Sequence, residues 1–297
     1  MNLQVYTVHA FTTNPKYGNP AGVAINPPKL TTTQMQWISK KLHVSETAFI
    51  TSGTTTDYHT RFFSPTQEVA LCGHATIATY YTLYTKNLLK NTKHTDPIII
   101  TQKTNAGVLP VEIYTQNTES PTILMHQSTP ILKNIALNWN LIADALGLSC
   151  TEIDTSLPTQ KVSTGLYTLP ICIPNLETLL HIYPDFEKIK QLCNTYDVGS
   201  WHLFSFQTKE PTSTYHARNF APCYGINEDP VTGTANGAVS YYLKYHNLIQ
   251  KNTLTAEQGD AINHPGRVTI QLTKNKVKVG GTACIVKDNL LTPPVKK

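Results

Sequence analysis

Charge is scarce in this sequence. Only 14% of its 297 residues are Asp, Glu, Lys or Arg, and basic residues never stand more than two in a row, as at the terminal Lys296-Lys297. The net charge of +5 is small for that length and scattered, so it marks no nucleic-acid surface and gives only a slight pull on weakly acidic substrates. Long apolar runs are missing as well. No stretch approaches the ~20 residues of a membrane-spanning helix, and Met1-Asn2-Leu3-Gln4-Val5 lacks the basic and apolar regions of a signal peptide. The six cysteines, Cys72, Cys150, Cys172, Cys193, Cys223 and Cys284, contain no Cys-x-x-Cys pair, which excludes a zinc knuckle and a thioredoxin-like motif. Reduced thiols in a cytoplasm are the expectation that follows. No Gly-x-Gly-x-x-Gly follows a strand-like run and no Gly-x-Ser-x-Gly occurs, so neither a dinucleotide oxidoreductase nor an elbow-type serine hydrolase is indicated. His43, His59, His94, His126, His181 and His202 form no metal-ligand spacing. They read as surface or cap residues, and no metal is expected.

What is present is enough apolar residue, 40%, for a sizeable core, and a length that favours two domains. Most of the chain reads as short strands punctuated by Gly, Pro, Asn and Asp. In the first half these are Leu3 to Val8, Tyr58 to Phe63, Pro97 to Thr101, Val108 to Tyr114 and Thr122 to Met125. In the second half they are Lys161 to Ser163, Thr168 to Ile173, His202 to Phe206, Thr214 to Phe220, Val268 to Leu272, Val277 to Val279 and Ala283 to Val286. Helical spacing appears at Thr32 to Leu42, at Asn138 to Leu146, and at Leu176 to Cys193, where Pro184 cuts the pattern in two. Two further helices, Gly73 to Thr85 and Gly233 to His246, each follow a repeated motif.

That repeat is the most informative feature. Arg61-Phe62-Phe63-Ser64-Pro65 leads to Glu68-Val69-Ala70-Leu71-Cys72-Gly73-His74-Ala75, and Arg218-Asn219-Phe220-Ala221-Pro222 leads to Glu228-Asp229-Pro230-Val231-Thr232-Gly233-Thr234-Ala235. Arg, Phe and Pro recur at an offset of 157 (Arg61 to Arg218), and Glu, Gly and Ala at 160 (Glu68 to Glu228). A period this long is a duplicated domain rather than a solenoid. Each copy is a strand, a Pro-containing turn and a Gly that opens a helix. The first backbone N–H groups of a helix lack internal partners, so two such ends facing each other would make a carboxylate-binding cleft. Taken singly, each motif is equally readable as a helix cap.

These motifs resemble those of the PhzF-like family, which is related to diaminopimelate epimerase. The resemblance runs through Val8-His9-Ala10-Phe11-Thr12, Gly18-Asn19-Pro20-Ala21-Gly22-Val23, Ser45-Glu46-Thr47-Ala48-Phe49, Cys72-Gly73-His74-Ala75-Thr76, the Glu228 to Ala235 segment, Gln258-Gly259 and Val279-Gly280-Gly281-Thr282-Ala283. It implies an α+β fold of two similar domains, 1–128 and 129–297, each a curled, mostly antiparallel sheet around a central helix, with the last strand able to pack on the first domain. It also implies a cytoplasmic, cofactor-free isomerase that moves a proton within a small carboxylated metabolite, homodimeric, with no nucleic-acid or membrane partner.

On that resemblance Glu46 is the general acid/base. Desolvation at the edge of an apolar strand disfavours the charged form of a carboxyl group, which suits such a group to proton shuttling near neutral pH. His74 and Asp229 match positions that assist proton movement and hold substrate. Asn19, Cys72, Gly73, Thr232, Gly233, Thr234 and Ala235 are the candidate substrate contacts, with the glycines and Ala235 offering backbone donors only. Two departures stand out. Cys72 replaces the Asp of the phenazine enzyme, as in diaminopimelate epimerase, yet the matching second-half position is Thr232 rather than a second Cys. His264 stands in His264-Pro265-Gly266-Arg267 where many relatives carry Arg. Cys72 is therefore either a reactive thiol or a small apolar filler. Two alternatives stay open: an amino-acid racemase or epimerase that uses Cys72, and a non-catalytic binding protein on the same fold.

Overall fold

Strand pairing organises most of the chain, as the alternating runs predict. The computed structural model describes residues 2–90, 95–116 and 120–294; His94 and Lys296-Lys297 lie outside the described residues. The chain divides into two units, 1–126 with 280–297, and 127–279. The first contains β1 (Leu3–Ala10), β2 (Asn19–Ile25), α1 (Thr32–Leu42), β3 (Glu46–Ser52), β4 (Tyr58–Phe63), β5 (Glu68–Val69), α2 (Gly73–Thr85), β6 (Ile98–Thr104), β7 (Gly107–Tyr114) and β8 (Thr122–His126). The second contains β9 (Ile131–Asn134), α3 (Trp139–Leu146), β10 (Gln160–Ser163), β11 (Tyr167–Cys172), α4 (Leu176–Leu180), α5 (Phe186–Tyr196), β12 (Ser200–Ser205), β13 (Tyr215–Ala221), β14 (Ile226–Asp229), α6 (Gly233–Tyr245), β15 (Thr253–Gln258) and β16 (Gly266–Thr273), and β17 (Lys276–Gly281) leads out of it. The last strand, β18 (Ala283–Leu291), returns to unit 1 and pairs antiparallel with β1 from Leu3↔Leu291 to Ala10↔Ala283.

The fold is α+β, and the two units repeat one succession of strand pairings. In unit 1, β1–β2 is antiparallel, β2–β3 parallel, β3–β4 antiparallel, β4–β6 parallel and β6–β7 antiparallel. In unit 2, β10–β11 is antiparallel, β11–β12 parallel, β12–β13 antiparallel, β13–β15 parallel and β15–β16 antiparallel. Each parallel step needs a crossover, supplied by α1 and then α2 in unit 1, and by α4 with α5 and then α6 in unit 2.

The central helix of unit 1 is α2, which packs against β1, β2, β3, β8 and β18. Its sequence has no charged residue, and Ala75, Thr76, Ile77, Ala78, Thr79, Tyr80, Thr82 and Leu83 are buried, the pattern of a helix enclosed on most sides. Three threonines would leave hydroxyls in that core. Thr76, Thr79 and Thr82 instead donate to the carbonyls of Cys72, Ala75 and Ala78, each at 2.7 Å. The matching helix of unit 2 is α6, against β10, β11, β12 and β16. Gly237 lets it come close, because a Cβ there would stand 2.7 Å from Val279 Cγ1. Outer helices cover the opposite faces. Met35 and Ile38 of α1 pack on Val5, Phe49 and Phe63, while Ile142, Leu179 and Ile189 of α3, α4 and α5 pack on Leu169, Trp201 and Phe220.

Helix limits follow their sequence signals closely. Thr31 caps α1 in a capping box with Gln34, and Asn138 caps α3 rather than belonging to it. Pro184 falls between α4 and α5, as its position in the helical pattern predicts. Strands β2 and β9 carry no alternation that announces them; β2 holds Pro20 and Gly22 and is buried along both faces. No helix among the described residues is long and apolar enough to cross a membrane.

Candidate active site

Glu46 opens β3. The chain reaches it from α1 through His43, a left-handed C-cap at φ 53°, and through buried Val44. In the parallel β2–β3 pair Glu46 lies opposite Ala21, two residues after Asn19, which begins β2 and is buried. The Asn19 neighbour Pro20 offers its carbonyl to Ser45 Oγ at 3.3 Å. This strand end lies next to the start of α2.

Cys72 is the N-cap of α2, yet its side chain makes no capping bond. Sγ instead donates to Glu46 Oε2 at 3.6 Å and lies 3.5 Å and 3.8 Å from His74 Nδ1 and Nε2. His74 Nε2 meets the same Glu46 oxygen at 3.2 Å and Ser45 Oγ at 3.0 Å. Thiol and imidazole therefore converge on one carboxylate oxygen, with the side chains of Glu46 and His74 only 15% and 11% exposed. These contacts set the Cys72 side chain beside Glu46 and His74 rather than on the capping position of α2. The first-turn N–H groups of Gly73, His74 and Ala75 precede the first helical bond, which runs from Thr76 N to Cys72 O at 3.1 Å.

Glu46, Cys72 and His74 also bring an oxygen, a sulfur and a nitrogen within 4.8 Å of one another, a grouping that histidine spacing alone did not reveal. The carboxylate oxygen lies within reach of both the thiol and the imidazole, an arrangement in which the three groups can share protons.

The second motif sits in unit 2. Thr232 is the N-cap of α6 and likewise makes no side-chain capping bond; its hydroxyl donates to Asp229 Oδ2 at the end of β14. Asp229 thereby accepts from the side chain of the N-cap residue of α6. Gly233, Thr234 and Ala235 form the first turn of α6, and Thr234 O accepts from Thr164 Oγ1 at 3.1 Å. The sequence candidates thus fall into two groups, Asn19, Glu46, Cys72, Gly73 and His74 in unit 1, and Asp229 with Thr232 to Ala235 in unit 2.

Sequence reasoning missed the polar residues beneath the second group. Gln258, Asn236, His202 and Asn219 are all buried and linked: Gln258 to Thr232, Asp229 and Asn236, and His202 to Asn236 and Asn219 at 3.1 Å each. His202 is therefore no surface or cap residue. It lies in β12, where all six residues are buried, so no alternation marks an inward-facing side chain. Arg267, two residues beyond Pro265, pairs with Glu210 at 2.7 Å and Asp260 at 3.6 Å.

Burial lowers the His202 pKa from 6.5 to about 4, with the two amide contacts opposing. Between these values the unfolded chain binds the proton and the folded one does not, so His202 makes stability fall as pH drops from 6.5 toward 4. We expect wild type to lose about 2 kcal/mol more than His202→Gln between pH 7 and pH 5, read by urea denaturation at the two pH values. Parallel losses in the two proteins would show that the ring is not held neutral.

The sequence profile of phenazine biosynthesis-like proteins matches residues 8–289. An uncharacterized isomerase of Bacillus subtilis, YfhB, is 34% identical over 293 residues, covering 97% of this chain and 98% of its own. An uncharacterized isomerase of Clostridium acetobutylicum is 34% identical over 294 residues, 95% of each. Among solved structures, a phenazine biosynthesis protein of the PhzF family from Bacillus anthracis superposes with a TM-score of 0.89 at 32% identity, covering 98% of this chain and 99% of that one.

Proposed function

We propose that this chain, which belongs to the phenazine biosynthesis-like protein family and is an isomerase, moves a proton within a small carboxylated metabolite, with Glu46 as the general acid/base. The observation that carries this reading is the convergence of the Cys72 thiol and the His74 imidazole on one Glu46 oxygen. A carboxylate that accepts a proton from a substrate carbon becomes a neutral acid. The adjacent imidazole can accept or supply a proton, and the acid then protonates a second carbon of the same molecule. Nothing is oxidised or reduced, and substrate and product share one composition, so the steps call on no cofactor. Asp229 and the first turn of α6 are the proposed holders of substrate.

The test is an NMR screen of small amino and unsaturated carboxylic acids in deuterated water, comparing wild type with Glu46→Gln. Deuterium at a substrate carbon, or a shifted double bond, with wild type alone supports the reading. A substrate turned over equally by both proteins removes Glu46 from the centre of the chemistry.

The contact between Cys72 and Glu46 favours a second reading, a racemase or epimerase in which the thiol is the other base. Under the leading reading, Cys72→Ser keeps turnover within about tenfold of wild type. A loss beyond about a hundredfold, matched by iodoacetamide inactivation, moves the thiol into the proton-transfer step.

A further inference from the structure

Two carboxamides in unit 2 are oriented by backbone groups that leave no choice of direction. Thr232 N–H can only donate and the Asp229 carbonyl can only accept. Both meet the side chain of Gln258, so Oε1 takes the first at 3.1 Å and Nε2 gives to the second at 2.8 Å. Turned over, that amide would set N–H against N–H and C=O against C=O. Asn236 is fixed in the same way, because Nδ2 gives to the Thr232 carbonyl at 2.8 Å and to Gln258 Oε1 at 2.7 Å. Its own oxygen accepts from Tyr215 Oη at 3.0 Å and from His202 Nε2 at 3.1 Å. His202 stands between two amide oxygens, Asn236 Oδ1 at Nε2 and Asn219 Oδ1 at Nδ1, each at 3.1 Å.

The last bond of Gln258 runs from Nε2 to Thr232 Oγ1 at 3.1 Å. A hydroxyl has a single proton. Since Thr232 Oγ1 receives from Gln258, its own proton is the one given to Asp229 Oδ2. Donation thus runs one way, from Asn236 to Gln258 to Thr232 to Asp229. Gly259 helps bring the two segments together. It sits at φ 93°, and a Cβ there would stand 2.2 Å from His264 O and 2.7 Å from Pro230 O, so the residue after Gln258 packs directly on the backbone beside Asp229.

We propose that Gln258 and Thr232 are positioning residues for Asp229: the chain of donation ends on its carboxylate and holds it as an acceptor, and the Thr232 hydroxyl is not a donor to substrate. This rests on the substrate-holding role given to Asp229 above. It assigns the two matching N-caps different work. Cys72 brings an ionisable thiol to Glu46, whereas Thr232 brings a neutral hydroxyl already committed to Asp229.

The test uses the full chain without substrate, labelled with side-chain ¹⁵N glutamine and ¹³Cγ aspartate, with signals assigned by Gln258→Glu and Asp229→Asn. Thr232→Val is expected to shift both the Gln258 side-chain amide pair and the Asp229 ¹³Cγ signal, and Thr232→Ser to return both toward wild type. Gln258→Glu, which can only accept, is expected to shift the Asp229 signal as well. An Asp229 signal unmoved by Thr232→Val, or moved as far by Ser as by Val, overturns the proposal; Thr232→Ala serves if the Val variant does not fold. With a substrate from the deuterium screen, Thr232→Val should raise KM about 10-fold and add little to the effect of Asp229→Asn in the double variant, whereas effects that multiply would make Thr232 a substrate donor of its own. Wild-type turnover by Asp229→Asn would remove the role of Asp229 itself, while the spectra of the free protein still decide the chain of donation.

Discussion

Replacing Glu46 with Gln is expected to slow deuterium exchange into substrate by about 10²- to 10⁴-fold, the range of a positioned general acid/base. The change is nearly isosteric, and a Gln oxygen at this position can still accept from the thiol or the imidazole, so the fold and the strand end should persist. What disappears is the ability to take a proton from carbon. His74→Gln should cost less, because the imidazole touches the carboxylate rather than standing in for it. The pattern that supports the assignment is a large loss for Glu46→Gln, an intermediate one for His74→Gln and a small one for Cys72→Ser. A loss for His74→Gln as great as that for Glu46→Gln would instead make the imidazole the shuttle and Glu46 its orienting partner.

That ordering could not be read from the sequence alone, because the residues concerned are far apart along the chain. Glu46 and Cys72 belong to different motifs, and only the end of β3 and the start of α2 bring them to 3.6 Å. The local signals were legible. Gly73 opens α2 and Thr32 opens α1 where the motifs put them, since caps and glycines act within a few residues of their own position. The family resemblance supplied Glu46, and the structure added that Cys72 and Thr232 both leave their capping bonds unmade. A cap residue whose side chain turns elsewhere is available for other chemistry, and no sequence pattern reports which way it turns.

The rest was illegible for a different reason. Sequence patterns assume that polar side chains face water, and unit 2 breaks that assumption along whole strands. All seven residues of β13 are buried, among them His216, Arg218 and Asn219, and the end of β15 buries Glu257 and Gln258. His216 Nδ1 meets Glu257 Oε2 at 2.7 Å with both side chains fully enclosed. Such residues are tolerated inside because each finds a partner from a distant strand, and that pairing exists only in three dimensions.

The repeated Arg–Glu pair gives the second large expected effect and isolates the role of burial. Arg61 Nε and Nη2 grip Glu68 at 2.8 and 2.7 Å, and Arg218 Nε and Nη2 grip Glu228 at 2.9 and 2.8 Å. Each guanidinium also stacks on the phenylalanine two residues on, 5.1 Å from the Phe63 centroid and 4.9 Å from that of Phe220. The surroundings differ. The first pair is 29% and 23% exposed, the second 5% and 9%, and Arg218 Nη1 also serves the carbonyls of Leu179 and Ile182. Arg61→Met should therefore cost no more than about 1 kcal/mol, the usual worth of a pair that water can replace. Arg218→Met should cost about 3–5 kcal/mol, because Glu228 is left as an unpaired buried charge and two carbonyls lose their donor. Removing the charge as well, in Arg218→Met with Glu228→Gln, should recover part of that loss. Hydrogen exchange read separately over the two units measures all three, and equal costs for the two arginines would show that geometry and stacking, not burial, set the strength of this motif.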